Sequence, residues 1–250
     1  MRLQGKIAVV TGAASGFGEG IAKLFAREGA RLVIADLNQG GLDRVAGEIG
    51  GGVHAVAGDV SRGPDVQRMV AAAVQEFGGL DVVVNNAGTT HRNQPMLDVD
   101  EAAFDRVYAV NVKSIYWMAQ AAVPVLRRQG RGGSIINIAS TAGIRPRPGL
   151  VWYNGSKGAV NTITQAMAIE LGPENIRVNA VCPVIAATGL LTEFMGAPDT
   201  PENRARFVGT IPLGRMSTPA DIANACVWLA EDASSFITGV LLPVDGGRCA

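Results

Sequence analysis

Residues 6–18 read KIAVVTGAASGFG, a short apolar run followed by a glycine-rich turn. Four consecutive apolar residues at 7–10 are typical of a parallel strand that is buried on both faces of a sheet. Beyond the turn, Ile21, Leu24 and Phe25 recur at helical spacing, which predicts an amphipathic helix. The stretch therefore predicts a strand, a tight turn and a helix, which is the opening of a strand–helix–strand unit.

The same order of strand and helix repeats along the whole chain. Short Val-, Ile- and Leu-rich runs predict seven strands, at residues 6–10, 31–35, 53–56, 80–84, 134–139, 176–182 and 240–244. Helical patterns separate them, and one starts at Thr218, a typical N-cap that is followed by Pro219. We therefore expect an α/β fold: a doubly wound, seven-stranded parallel sheet with helices on both faces, as a single domain over residues 1–250.

The composition argues against several classes of function. Lys and Arg together number 22, as do Asp and Glu, so the formal net charge is zero. Nucleic acids and anionic membranes require a concentrated basic surface, so neither is expected as a partner. There is no apolar run of the length that a signal peptide or a membrane span needs. With three cysteines lacking Cys-x-x-Cys spacing and only two histidines, we expect reduced thiols, a cytoplasmic location and no metal site.

The glycine turn predicts a site for a dinucleotide. Gly12, Gly16 and Gly18, with Ser15 and Phe17 among them, would let the backbone approach a diphosphate. The phosphates would then bind the free N–H groups and the positive dipole end of the following helix. Because the glycines stand between a strand and an amphipathic helix, this interpretation is favoured over an ordinary turn.

The end of the second strand indicates which dinucleotide binds. Asp36 lies twenty residues beyond Gly16, where a carboxylate accepts hydrogen bonds from the adenosine ribose and repels a 2′-phosphate. Leu37 occupies the place where an NADP enzyme often has a basic residue. The sequence therefore favours NAD as the cofactor; an aspartate that caps the next helix is the alternative for Asp36.

Two further strand ends contribute candidate cofactor contacts. Asp59 and Val60 follow the third strand, and Asn86, Ala87 and Gly88 follow the fourth. The small residues would let the nicotinamide ribose lie against the backbone. We expect all of them at the carboxyl edge of the sheet, where open α/β sheets bind ligands.

The second half of the chain contains a set of residues suited to proton transfer. Tyr153 and Lys157 are four residues apart in a helical pattern, so their side chains share one helix face. Ser140 ends the fifth strand. A neighbouring ammonium and a positive nicotinamide would both favour the phenolate and lower the pKa of Tyr153 from its ordinary value near 10.

Together these motifs resemble the short-chain dehydrogenase/reductase family, and the likeness covers essentially the whole chain. It rests on the glycines at 12, 16 and 18, the Asn-rich turn at 85–88, Asn111, Ser140 and the run Tyr153-Asn154-Gly155-Ser156-Lys157. The resemblance implies a Rossmann fold, with cofactor motifs over residues 6–111, catalytic motifs over 111–188 and a substrate loop over 188–217. It also implies cofactor contacts from Tyr153, Lys157, Pro183, Ile185 and Thr188.

The resemblance also implies a mechanism and an assembly. Tyr153 would exchange a proton with the substrate hydroxyl during hydride transfer, Ser140 would hold the same oxygen, and Asn111 would support a water linked to Lys157; an ordinary buried helix amide is the alternative for Asn111. A homotetramer is expected, with the helices at 100–128 and 153–171 at one interface. Trp117, Met118 and Ala168 are candidates for burial there, or in the core of the protomer.

The chain departs from the family at one position. The family usually has Pro-Gly after the sixth strand, whereas this chain has Pro183-Val184-Ile185. A β-branched residue restricts the backbone, so the departure bears on the geometry of residues 184–188 and not on the catalytic set.

The substrate is the least determined part of the prediction. The candidate pocket residues are mostly apolar: Ala142, Ile144, Trp152, Val184, Ile185, Leu190, Leu191, Phe194 and Met195. His91, Arg92, Arg145 and Arg147 would meet a carboxylate or sugar hydroxyls, or would face solvent or another subunit. We expect an NAD-dependent oxidoreductase that interconverts a secondary alcohol, or a sugar or polyol hydroxyl, and a ketone. The alternatives are a 3-oxoacyl-carrier reductase and a catalytically silent dinucleotide sensor.

Overall fold

The computed structural model describes residues 1–187 and 189–250. Within them, seven strands form one parallel sheet in the order β3-β2-β1-β4-β5-β6-β7. The strands are β1 (Ile7–Thr11), β2 (Arg31–Asp36), β3 (Val53–Ala57), β4 (Val82–Asn85), β5 (Gly133–Ile138), β6 (Ile176–Pro183) and β7 (Leu241–Val244). The predicted seven-stranded parallel sheet is confirmed, with strand ends displaced by at most two residues.

Helices connect successive strands. They are α1 (Gly16–Arg27), α2 (Gln39–Ile49), α3 (Gly63–Phe77), α4 (Glu101–Tyr108), α5 (Ser114–Gln129), α6 (Val151–Leu171), α7 (Leu191–Met195), α8 (Pro201–Val208) and α9 (Pro219–Ala230). Thr218 caps α9 as predicted, because its hydroxyl accepts from the Asp221 N–H while the Asp221 carboxylate accepts from the Thr218 N–H. In the described part of the chain no helix is long and apolar enough to cross a membrane.

Apolar side chains cover both faces of the sheet. One core joins the sheet to α1, α2 and α9 through residues such as Ile21, Leu42 and Ile222. The other joins it to α3, α5 and α6 through residues such as Met69 and Met118. Because both faces are buried, the strands carry continuous apolar runs, and the fold is doubly wound.

The strand order reverses between β1 and β4, which are neighbours in the centre of the sheet. Their following segments, the glycine turn and the turn at 85–88, leave the sheet side by side at its carboxyl edge. A crevice forms at such a switch point, and this is where open α/β sheets bind ligands.

The structure favours one of the two alternatives predicted for Trp117, Met118 and Ala168, the core of the protomer. Met118 and Ala168 are 2% and 3% exposed in the single chain and belong to the core beneath α3, α5 and α6. Trp117 is half-buried against that core, and its indole N–H donates to the Ser61 carbonyl at 3.2 Å. These three side chains pack within the protomer because they lie on the inner side of their helices.

Candidate active site

A cavity of about 640 Å³ opens at the carboxyl edge of the sheet. It extends from the glycine turn, past the ends of β4 and β5, to the connection between β6 and α9. The predicted site residues on its wall are Gly12, Ser15, Gly16, Phe17, Asp36, Asn86, Ala87, Gly88, Ser140, Tyr153, Lys157, Pro183 and Ile185. One continuous cavity therefore brings together residues that are more than 170 positions apart in the sequence.

The glycine turn has a backbone that other residues rarely adopt. Gly12 and Gly16 have φ angles of 65° and 58°, in the left-handed region. A Cβ on Gly12 would lie 2.8 Å from the Ala87 Cα, and one on Gly18 would overlap the Gly12 carbonyl. In the described chain no side chain caps the first turn of α1, so its N–H groups are available at the cavity.

Two polar side chains hold the glycine turn in place: Thr11, for which the sequence indicated no role, and Asn86, which was predicted only as a cofactor contact. The Thr11 hydroxyl accepts from the N–H groups of Asn86 and Ala87, both at 3.1 Å. The Asn86 amide donates to the carbonyls of Thr11 at 2.8 Å and Gly12 at 3.1 Å. These bonds tie the end of β1 to the end of β4, so the two turns form one rigid wall.

Asp36 lies at the cavity wall at the end of β2. Its two carboxylate oxygens accept from the N–H groups of Ala14, at 3.1 Å, and Asn38, at 3.0 Å. The cap of α2 is Asn38, whose side chain accepts from the Gly41 N–H at 3.0 Å. The alternative of a helix-capping aspartate at position 36 is therefore wrong.

Ser140, Tyr153 and Lys157 meet on the opposite part of the wall. Ser140 follows β5, and its hydroxyl accepts from the Ala142 N–H at 3.0 Å. Tyr153 and Lys157 are buried on one face of α6, with the Lys157 Nζ 6.0 Å from the centre of the tyrosine ring. The Lys157 Nζ donates to the Ile138 carbonyl at 2.8 Å, which anchors the ammonium to the end of β5.

Burial dominates the proton affinities of this pair in the protein chain. Burial raises the pKa of Tyr153 to about 12, against a hydrogen bond with Ser140 and the charge of Arg147, which lower it. Burial also lowers the pKa of Lys157 to about 8. The sequence argument considered the neighbouring ammonium but not the loss of water around the phenol, and this loss is the larger effect in the chain alone.

Asn111 lies behind the cavity wall, where the helical segment Ala109–Lys113 widens into a π turn between α4 and α5. Its amide exchanges two hydrogen bonds with the Thr89 backbone and donates to the Ser156 hydroxyl at 3.0 Å. A Cβ on Gly88 would lie 3.4 Å from the Asn111 Oδ1 and 3.6 Å from the Lys157 Nζ. Asn111 therefore joins the turn after β4 to helix α6, beside the lysine.

Several predicted cofactor contacts do not reach the cavity wall. Gly18 packs beneath the turn, and Leu37 is 74% exposed. The Asp59 carboxylate accepts from the Ser61 N–H at 2.8 Å, and Val60 is buried. Thr188 lies outside the described residues.

Val184 fits the segment where the family has glycine. Its φ is not among the left-handed values of the described residues. The Ser217 hydroxyl donates to the Val184 carbonyl at 3.1 Å, and the Ser217 N–H donates to the Ile185 carbonyl at 3.2 Å. Residues 184–185 are therefore held by Ser217, two positions before the start of α9, in a conformation that needs no glycine.

The substrate end contains part of the predicted set. Ala142, Val184, Ile185, Leu190 and Phe194 line the cavity, as do Arg145 and Arg147. The others do not reach it: Leu191, Met195 and His91 are buried, Trp152 donates to the Met96 carbonyl, and Ile144 and Arg92 face solvent. The sequence interpretation missed Arg206, Phe207, Thr210 and Arg248, which also line the cavity.

Comparisons with known proteins agree with this geometry. A family model described as enoyl-(acyl carrier protein) reductase matches residues 12–248. The chain belongs to the short-chain dehydrogenase/reductase family. Its fold and its class, an oxidoreductase, follow from this membership and confirm the resemblance read from the motifs.

Three relatives represent the range of the family near this chain. A 4-formylbenzenesulfonate dehydrogenase of Comamonas testosteroni is 51% identical over 251 residues, with 99% of each chain covered. A 2-(S)-hydroxypropyl-CoM dehydrogenase of Xanthobacter autotrophicus is 36% identical, covering 100% of this chain and 98% of the relative. The crystal structure of a 3-ketoacyl-(acyl-carrier-protein) reductase from Brucella melitensis complexed with NADH is 47% identical, with a TM-score of 0.94 over 99% of this chain and 100% of that one.

Proposed function

We propose that this protein is an NAD-dependent dehydrogenase that interconverts a secondary alcohol and a ketone, with residues 1–250 forming one domain. The observation that carries the proposal is the single cavity whose wall holds the glycine turn and Asp36 at one part and Ser140, Tyr153 and Lys157 at another. A dinucleotide bound along this wall would bring its nicotinamide beside the tyrosine.

The residues present fit NAD. The uncapped N–H groups of α1 suit a diphosphate, and Gly12 lets the turn before this helix lie against Ala87, where a Cβ would collide. Each Asp36 oxygen accepts one backbone N–H and retains a lone pair for a ribose hydroxyl. A 2′-phosphate would face this carboxylate, so NADP is disfavoured. The related structure that contains NADH supports the same choice.

The proposed mechanism assigns a task to each catalytic side chain. A nicotinamide cofactor held by this wall would supply the hydride chemistry, as acceptor from the alcohol carbon or as donor to the ketone. Tyr153 takes the hydroxyl proton during oxidation and gives it back during reduction. Ser140 holds the substrate oxygen as charge develops on it. After its bond to Ile138, the Lys157 ammonium has two N–H donors left to stabilise the phenolate and to hold the nicotinamide ribose.

We propose that Asn111 acts by holding the cavity wall beside Lys157 in place. Its bonds to Thr89 and Ser156 fix the turn after β4 against α6, and its Oδ1 lies beside Gly88. The water that the family resemblance implies would then lie between Asn111 and Lys157, linking the lysine to solvent.

The substrate class is supported by the relatives' names. One relative is a dehydrogenase of a 2-hydroxypropyl compound, which is a secondary alcohol. The 3-ketoacyl reductase at 47% identity favours a second candidate, a 3-oxoacyl-carrier reductase. That reductase is complexed with NADH, so the cofactor alone does not separate the two candidates. A silent dinucleotide sensor would have no need of the complete set Ser140, Tyr153 and Lys157.

An absorbance assay tests the proposal. Secondary alcohols, polyols, aldoses and aryl alcohols and aldehydes are screened with NAD+ at alkaline pH, and NADH formation is followed at 340 nm. Tyr153→Phe is the control, because it removes only the hydroxyl: turnover should fall by at least about 1000-fold while NADH binding persists. Near wild-type turnover by this variant on a good substrate would refute the catalytic assignment.

We also propose a homotetramer with an interface on α5 and α6. Tyr116 on α5 and Ile169 on α6 are 53% and 80% exposed, in contrast to Met118 and Ala168, which face the core. Exposed large apolar side chains on adjacent helices are typical of a surface that a second subunit covers.

A further inference from the structure

Four arginines line the cavity near Tyr153. Arg145 and Arg147 follow β5, Arg206 is on α8, and Arg248 is close to the end of the chain. Asp36 follows β2, which is three strand positions away from β5 in the sheet, or about 14 Å at the usual strand spacing. The arginines therefore belong to the substrate end of the cavity and not to the adenosine end.

Arg147 is held in a fixed position next to the catalytic tyrosine. The side-chain amide of Asn154, the residue after Tyr153, donates to the Arg147 carbonyl at 2.7 Å. The Arg147 Nη2 donates to the Phe194 carbonyl at 2.7 Å, and its guanidinium stacks 5.1 Å from the Phe207 ring centre. The Phe194 ring in turn lies edge-on to the Tyr153 ring at 5.1 Å. Phe194 thus contacts both the cation and the tyrosine.

The charge of Arg147 has no counter-ion in the described part of the chain. Among those residues, none of the four cavity arginines has a carboxylate within 4.0 Å. Arg204, two positions before Arg206 on the same helix, is by contrast paired with Asp199 at 2.6 Å. A guanidinium stays charged at neutral pH, and half-burying it without an anion costs free energy. An anion from outside the chain would offset that cost.

We propose that the substrate carries a carboxylate or sulfonate, which Arg147 binds, and that an apolar spacer separates this group from the reacting carbon. Leu190, Phe194 and Val184 provide the apolar wall along which the spacer would lie. The inference rests on the proposed function, because it takes Tyr153 as the place of reaction. It extends that function by specifying the chemical group at the end of the substrate remote from the reacting carbon.

The probes are para-substituted acetophenones, which differ from one another only in the para group. The protein is saturated with NAD+, which prevents reduction of the ketone, and is titrated calorimetrically with 4-acetylbenzoate, 4-acetylbenzenesulfonate and the neutral analogue 4-acetylbenzamide. At least one anion should bind at least about tenfold more tightly than the amide, and its affinity should fall as salt rises. The better anion identifies the preferred group.

Variants assign the preference to Arg147. Arg147→Met should weaken binding of the preferred anion by about 10- to 100-fold and change amide binding by less than about threefold. Arg147→Lys retains the charge but loses the paired N–H donors of the guanidinium, so its affinity for the anion should lie between those of the wild type and Arg147→Met. Arg204→Gln removes the same charge from a paired site on α8, and should leave all affinities within about twofold. NADH binding, followed by fluorescence, reports whether each variant is folded.

Two results would overturn the proposal: equal affinity of the wild type for the anions and the amide, or an equal loss of both in Arg147→Met with NADH binding intact. Anion binding that depends on Arg147, combined with no oxidation of any alcohol, would refute the proposed function instead. If acetoacetyl-coenzyme A were reduced rapidly by Arg147→Met and wild type alike, while the anions showed no preference, a carrier-linked substrate would replace the small anion.

Discussion

The distance between Lys157 and Tyr153 predicts how the pH dependence of alcohol oxidation responds to loss of the ammonium. The Lys157 Nζ lies 6.0 Å from the centre of the Tyr153 ring. At an effective dielectric constant of about 20, a unit charge at that distance stabilises the phenolate by about 3 kcal/mol. This free energy corresponds to about two pKa units. Lys157→Met should therefore raise the apparent pKa of the oxidation profile by about two units.

The upward direction of this pKa shift follows from the role of Tyr153 as the proton acceptor. Oxidation needs the phenolate, so its rate rises with pH through the pKa of Tyr153, and removal of the ammonium moves that rise to higher pH. Reduction needs the protonated phenol, so its decline with pH should move in the same direction. Because burial lowers the pKa of Lys157 to about 8, the lysine loses its proton within the pH range of the assay, and the wild-type profile reports the coupled pair of Tyr153 and Lys157.

The measurement is kcat/KM for the alcohol from pH 6 to 10.5, at NAD+ concentrations that saturate each variant. Saturation matters because Lys157 is also assigned to the nicotinamide ribose, so its loss should weaken cofactor binding. Arg204→Gln, which removes a cation that is paired with Asp199 and does not line the cavity, serves as the matched control and should leave the profile unchanged. Superimposable wild-type and Lys157→Met profiles would show that the ammonium does not act on the phenol.

The other predictions concern the cofactor and the assembly. The wild type should prefer NAD over NADP by at least about 100-fold in kcat/KM, because a 2′-phosphate would face the Asp36 carboxylate. Asp36→Ala combined with Leu37→Arg should narrow or invert that ratio, and equal use of both cofactors by the wild type would contradict the assignment. Light scattering at micromolar concentration should give a tetramer, which Ile169→Glu should dissociate by placing a charge on the proposed apolar interface. A monomeric wild type would contradict it.

The strands and their parallel order could be predicted because they follow from local patterns. A strand such as β1, covered by helices on both faces, must be apolar along its whole length, and a continuous run is visible in the sequence. The widening of the helix at Ala109–Lys113 was not predictable in this way. Asn111 within this segment bonds to Thr89 and Ser156, which come from other parts of the chain and cannot be read from the local pattern.

Within the candidate site, the sequence located those residues whose place at the cavity follows from the end of a strand or from one face of a helix. Ser140 ends a strand, and Tyr153 and Lys157 share a helix face, so spacing was enough to place them. Thr11 and Asn86 were missed as supports, although both end strands that are neighbours in a doubly wound sheet. Their location at the ends of neighbouring strands was the signal from which a supporting role could have been predicted. Arg206 and Phe207 gave none, because α8 reaches the cavity only through the fold of the long connection before α9.

The arginines show why sequence cannot locate the substrate end. Arg204 and Arg206 belong to the same short helix and have the same chemistry, yet one is neutralised by Asp199 and the other faces the cavity. Arg204 lies five positions after its partner Asp199, but no spacing rule identifies an arginine that lacks a partner. Arg147 is distinguished only by its surroundings, a carbonyl of Phe194 and the ring of Phe207 where a carboxylate would balance the charge. An arginine is therefore a candidate for binding an external anion when no carboxylate of the folded chain lies beside it. Among the described residues Arg147 has no such partner, and it lies next to Tyr153.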